Sequence, residues 1–231
     1  TGYSNIQITA LPTANGTWSA LTSGTYTFTP NSDNANILYT DIQTKIQSGA
    51  NVKIVTTNGT GTQAGNVNIN NDINMYNSLT AGYTFSIIAN GDINVTNPII
   101  FSASYYNVTG GNINFTATGN ANITANINTS ALSGSYGGIS ANAGSITLNA
   151  AGKLYTSATG TLNANGASNP NNWSIWSSNG GDINLTGTAG ISINGNISTT
   201  SGAYIYNSTT STSYGYFGNL TINDGATTVT T

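Results

Sequence analysis

The chain of 231 residues contains no His, Cys, Glu or Arg. Each absence removes a class of chemistry. Without imidazole or thiol there is no histidine base, thiolate nucleophile, zinc site, haem ligand or disulfide. Without guanidinium there is no fork for phosphate or carboxylate. Three lysines (Lys45, Lys53, Lys153) do not make a nucleic-acid footprint. Against them stand Asp33, Asp41, Asp72, Asp92, Asp182 and Asp224, so only 4% of residues are charged and the net charge is −3. An ordinary globular protein is about a quarter charged. No stretch approaches 18 consecutive apolar residues, which predicts no membrane-spanning helix. The first residues, Thr-Gly-Tyr-Ser-Asn, lack the basic and apolar regions of a signal peptide; in a secreted protein that signal has already been removed. These absences predict no enzyme, cofactor or metal centre.

What is present is Asn (37), Thr (38), Ser (25) and Gly (28), together more than half of the chain. Hydrophobic residues make up 37%, with 13 Tyr, 3 Trp, 5 Phe and only 4 Pro. Disordered chains combine low hydrophobicity with high charge, so this composition predicts a folded protein.

From residue 52 onward the sequence repeats loosely. Phe85-Ser-Ile87, Ile113-Asn-Phe115, Ile146-Thr-Leu148 and Ile183-Asn-Leu185 are each followed by a Gly-containing corner and a second alternating segment. Those second segments are Ile93–Val95, Ala121–Ile123, Leu154–Thr156 and Ile191–Ile193, with Ile99, Ile127, Gly160 and Ile197 four positions later. Val67-Asn-Ile69 with Ile73 fits the second half of the template, and Leu220-Thr-Ile222 the first half. The starts at 85, 113, 146, 183 and 220 are spaced by 28, 33, 37 and 37 residues, a constant strand frame with loops of varying length.

Alternation with period two marks half-buried strands, and glycine permits sharp corners. Units too small to bury a core alone must stack on their neighbours. The expected fold is all-β: a parallel β-helix (β-solenoid) of about six rungs, about 29 Å long at roughly 4.8 Å per rung. Residues 52–231 form the repeats. Residues 1–51 form a non-repeating N-terminal cap, with strands at 5–9 and 25–29. The cap also holds one short helix from Thr40 to Gly49, N-capped by Thr40 or Asp41.

The C-terminal end shows no such cover, and an uncapped rung invites pairing with another chain. Either the chain is cut from a longer solenoid or copies join end to end. The predicted joint comprises Asn5, Ile6, Gln7, Ile8 and Thr9 with Thr227, Thr228, Val229, Thr230 and Thr231.

The repeated pieces resemble the filamentous-haemagglutinin type of bacterial surface adhesin, exported by two-partner secretion. The resemblance rests on Gly-Asp-Ile-Asn-Val/Leu (91–95, 181–185), Gly-Asn-Ile-Asn-Phe (111–115) and Gly-Ser-Ile-Thr-Leu (144–148). The lead-in Thr27-Phe-Thr-Pro, Asp41-Ile-Gln and Gly49-Ala-Asn-Val52-Lys-Ile54 is also similar, so the likeness covers roughly residues 25–230. It implies a right-handed β-helix outside the cell, used in adhesion or surface fibres.

Individual residues carry competing readings. Asp92 and Asp182 follow corner glycines at equivalent repeat positions, and Asn112, Ser145 and Asn219 take the same slot elsewhere. A slot open to Asp, Asn and Ser points to turn hydrogen bonding rather than catalysis. Six scattered Asp residues do not build a strong calcium site. Twelve Asn-x-Ser/Thr sequons occur, but 37 Asn among 63 Ser and Thr give about ten by chance. Asn94, Asn122, Asn184 and Asn219 are the outward candidates for N-glycosylation. Outward Asn68, Asn94, Asn122 and Asn184 are also placed to form an amide ladder. Loop aromatics Trp173, Trp176, Tyr204 and Tyr206 are candidate glycan contacts.

The sequence thus predicts an extracellular structural protein whose partner is itself, a self-associating subunit of a surface filament. The alternative is an adhesin fragment that binds glycans through loop aromatics. A polysaccharide-acting enzyme and an ice-binding protein rank lower.

Overall fold

A computed structural model describes residues 2–76, 78–103, 108–131, 141–167, 178–201, 203–205, 212–225 and 228–230. Its strands are short because the chain turns a corner after one to three inward side chains. Three sheets and a separate two-stranded hairpin share them, and none closes into a barrel.

The seven-stranded sheet contains β1 (Ile6–Thr9), β4 (Ala35–Leu38), β6 (Val67–Ile69), β9 (Ile93–Val95), β12 (Ala121–Ile123), β15 (Leu154–Thr156) and β18 (Ile191–Ile193). The five-stranded sheet contains β7 (Ile73–Asn74), β10 (Ile99–Ile100), β13 (Ile127–Asn128), β16 (Leu162–Asn163) and β19 (Ile197–Ser198). The nine-stranded sheet begins with β2 (Gly16–Trp18), β3 (Thr25–Pro30), β5 (Asn51–Val55) and β8 (Thr84–Ala89). It continues through β11 (Asn112–Ala117), β14 (Ile146–Ala150), β17 (Ile183–Gly187), β22 (Leu220–Asn223) and β23 (Thr228–Thr230). A separate antiparallel hairpin pairs β20 (Ala203–Ile205) with β21 (Thr212–Tyr214).

From β5 to β19 the chain visits the nine-, seven- and five-stranded sheets in rotation, and each strand lies parallel to its counterpart one circuit away. The repeat seen in the sequence is the register of the structure: Phe85 pairs with Ile113, Ile113 with Ile146, Ile146 with Ile183, and Ile183 with Leu220. One position differs. Ile127 pairs with Leu162 rather than Gly160, because Gly160 closes a turn onto Ser157 that delays the strand by two residues.

The apolar faces of β1 and β3 through β17 meet one continuous core, against which those of β2, β18, β19 and β22 pack. Ile6, Ile54, Ile87, Ile93, Ile123 and Leu148 are among its fully buried members. A buried Ile or Leu contributes about 1.5–3 kcal/mol relative to leaving it in water. Phe85 stacks on Phe101 with ring centroids 6.0 Å apart and meets Phe115 edge-on at 5.4 Å.

Residues 1–51 are built into these sheets while also covering one end of the stack. β1 lies between β4 and β6, and β3 lies beside β5. Three devices close this end. β2 pairs antiparallel with β3, and Ala14 exchanges both backbone hydrogen bonds with Asn36 on the outer side of β4. Helix α1 (Tyr39–Gln47) buries Ile42 and Ile46, and its Gln43 donates to the carbonyl of Asn74 in β7 at 3.0 Å.

The helix starts one residue earlier than the sequence suggests, and neither Thr40 nor Asp41 caps it; Leu38 occupies that position without a side-chain bond. Thr13 does the work from a preceding loop. Its hydroxyl accepts the Leu38 N–H at 2.9 Å and donates to the Asp41 carboxylate. Lys45 lies 4.5 Å from the Trp18 ring centroid and 5.0 Å from that of Tyr26, which pins the helix to β2 and β3. Among the described residues no helix is long and apolar enough to cross a membrane.

Candidate association site

The two ends of the stack differ. Opposite the closed end, β18 and β19 are the last strands of their sheets. Their apolar side chains Ile191, Ile193 and Ile197 are only partly buried, unlike Leu154, Leu162 and Ile127 one and two circuits earlier. Ile191 lies between Gly190 and Ser192, whose polar backbone groups pair with β15, so the alternation of the strand turns the N–H and C=O of Ile191 and Ile193 to the open side. Partly exposed isoleucines beside backbone groups with no partner among the described residues form an edge that a further strand can extend. Tyr216 (78% exposed) and Phe217 (72% exposed) stand before β22 on the adjoining sheet.

The predicted joint needs correction on one side. β1 is hydrogen-bonded on both edges, with Ile6 paired to Ala35 and Val67 and Ile8 paired to Ile37 and Ile69. Its side chains are also engaged. Ile6 and Ile8 are fully buried, and the Asn5 amide oxygen accepts the N–H groups of Gly65 and Asn66. Gln7 accepts from Asn70, and Thr9 donates to Asn36. Asn5–Thr9 is therefore interior. Alternation shows that this segment is a strand, but it does not show that a loop returns β4 to its outer side. At the C-terminal side, β23 folds back antiparallel on β22, with Ile222 opposite Val229. Thr228, Val229 and Thr230 thus supply a cover that the sequence reading omitted, and they remain the outermost strand of their sheet. Thr227 and Thr231 lie outside the described residues.

Polar side chains between the strands form columns. The Asn5 amide oxygen accepts Asn66 N–H at 2.8 Å, and that of Asn66 accepts Asp92 N–H at 2.8 Å. Asp92 Oδ1 accepts Asn120 N–H at 2.6 Å, and Asn120 accepts Lys153 N–H at 2.8 Å. A second column runs before the nine-stranded sheet: Asn112 accepts from Ser145, and Asp182 from both the backbone and the amide of Asn219. Asp92 and Asp182 therefore do not hold equivalent positions, because one precedes a strand of the seven-stranded sheet and the other a strand of the nine-stranded sheet. The two corners share the piece Gly-Asp-Ile-Asn because each needs a glycine and then an acceptor for the next N–H. The Asn112, Ser145 and Asn219 slot is that of Asp182 alone.

The amide ladder holds for three of its four members. Asn94 donates to Asn68 at 2.7 Å and Asn122 to Asn94 at 2.8 Å. Asn184 belongs to the other sheet, between Thr147 and Thr221, and the ladder position after Asn122 is Tyr155. A glycan on Asn94 or Asn122 would use the nitrogen that donates in the ladder. Asn219 donates to Asp182. Trp173, Trp176 and Tyr206 lie outside the described residues, and only the backbone of Tyr204 is described, in β20. Asp33 accepts from the Thr62 hydroxyl and backbone N–H and from Ser4, and these bonds hold its carboxyl below the usual range. No family model matches this sequence, and comparisons with curated proteins and with solved structures likewise give no match.

Proposed function

We propose that the protein is an extracellular structural subunit, a right-handed parallel β-helix of about six rungs that self-associates in a surface fibre. The observation that carries this reading is the contrast between the two ends of the stack. One end is closed by β2, Ala14 and α1, whereas the other offers β18 and β19 with half-covered isoleucines. A second copy meeting that end extends two sheets at once and buries Ile191, Ile193 and Ile197. Two identical ends meeting form a closed pair, and a fibre adds further contacts, with β23 and the exposed Tyr216 and Phe217 nearest. The near absence of charge favours this role, since edge charges are the usual protection against strand addition. The resemblance of the repeats to filamentous-haemagglutinin-type adhesins supports a place outside the cell.

The test is the assembly state, measured by light scattering after size exclusion and by electron microscopy. Pairs or fibres are expected for the natural sequence, and monomers for Ile193→Lys, which puts a charge into the open face. A natural protein that stays monomeric at every concentration, or an Ile193→Lys variant that assembles equally well, would sink the reading.

A further inference from the structure

The outer face of the seven-stranded sheet carries one side chain per strand in register: Asn36, Gln7, Asn68, Asn94, Asn122, then Tyr155 and Ser192. Asn68, Asn94 and Asn122 bond to one another, but at Tyr155 the row changes character. Lys153 stands on the same face two residues earlier, and both side chains are exposed, Tyr155 at 38%. On the neighbouring strand, the positions beside them carry no side chain (Gly190) and a short one (Ser192). Gly190 has a φ of +120° in a turn that its N–H closes onto Gly187, and nothing lies within 4 Å of where its Cβ would stand. Long side chains next to missing ones leave a groove of about 430 Å³ lined by Lys153, Tyr155, Gly190 and Ser192. That is within the size range of small-ligand sites.

The groove combines one aromatic ring, one cation and one hydroxyl in mainly apolar surroundings. Lys45 is engaged with Trp18 and Tyr26, whereas Lys153 has no side-chain partner among the described residues. A nucleotide or polyphosphate would need several cations, and a neutral ligand would leave Lys153 without a role. A flat ligand with an apolar face, hydroxyls at its rim and a single carboxylate uses all three groups.

We infer that this groove binds a carboxylate-bearing sugar unit of a polysaccharide. The C–H face of the pyranose lies on the Tyr155 ring, its carboxylate pairs with Lys153 Nζ, and a ring hydroxyl bonds to Ser192 Oγ. Stacking supplies most of the affinity and Lys153 the preference for acid. The groove lies on the outer face of the sheet and also reaches Ile191 of β18, the edge strand of the proposed joint, so binding is measured on monomers and assemblies alike.

Saturation-transfer NMR, which works for monomers and large assemblies alike, tests this with two probes. One is a tetrasaccharide of alternating glucuronic acid and N-acetylglucosamine, and the other is the neutral N-acetylglucosamine tetramer. The acidic probe is expected to bind more tightly, with Tyr155→Ala weakening it about tenfold. Lys153→Gln should weaken the acidic probe about fivefold and leave the neutral one unchanged. Both substitutions are on the exposed face, and circular dichroism checks that the fold is kept. No transfer to the acidic probe, equal affinity for both probes, or unchanged binding by Tyr155→Ala would each overturn the proposal.

Discussion

Asp92 Oδ1 lies 2.6 Å from the backbone nitrogen of Asn120, the residue that occupies its own position one circuit later. The carboxylate is thus an acceptor for a corner N–H that has no strand partner. Asp92→Ala is expected to cost about 1–3 kcal/mol by leaving that donor unpaired. Asp92→Asn keeps an acceptor oxygen and should stay within about 0.5 kcal/mol of the natural protein. Urea unfolding followed by circular dichroism measures both.

Gly111, Gly144, Gly181 and Gly218 form a column in which each later residue lies against the carbonyl oxygen of the one before. A methyl group at Gly144 would lie far inside van der Waals contact distance of the Gly111 oxygen, and that oxygen is backbone and cannot rotate away. Gly144→Ala should therefore destabilise by about 1–3 kcal/mol or more through overpacking. A larger loss of thermal midpoint in Gly144→Ala than in Gly82→Ala, where the atom nearest to an added Cβ lies at 3.3 Å, checks that contact rather than flexibility is responsible.

Ile42 of α1 is fully buried against the core. Ile42→Ala is expected to cost about 2–5 kcal/mol, the range for a large side chain removed from a packed site. Because residues 1–51 share sheets with the repeats, denaturation should remain a single transition that moves to lower urea. Two separated transitions would show that the N-terminal segment unfolds by itself.

Acid should weaken the contact of Asp33 with Thr62 and Ser4. Its folded pKa lies below the ordinary 3.8, so it contributes stability that is present above that value. That contribution is lost as the pH falls through the folded pKa, when the carboxylate is protonated in both states. Thermal midpoints measured from pH 5 down to pH 2 should fall, and Asp33→Asn should flatten part of that limb.

The strands of the repeats were legible because Phe85, Ile113, Ile146, Ile183 and Leu220 each open the same alternating pattern, and that pattern is the observed pairing register. The position of β1 was not legible, since alternation reports a buried face and says nothing about which strand comes alongside. Asp92 and Asp182 show a similar limit. Two corners with the same local need select the same four residues, so likeness of sequence did not mean likeness of place. Tyr155 lies within a strand that alternation marks, but its neighbours Gly190 and Ser192 are set by the stacking of circuits, which local alternation does not contain. The open edge at β18 and β19 depended on where the other strands stop, which no local pattern contains.

The column from Asn5 through Asn66 and Asp92 to Asn120 contains a single formal charge, and its links are hydrogen bonds at 2.6–2.8 Å. Dissolved ions screen separated charges but hardly affect bonds between adjoining amides and backbone. The cohesion of this column is therefore nearly blind to ionic strength, and its links should hold alike in fresh water and in brine.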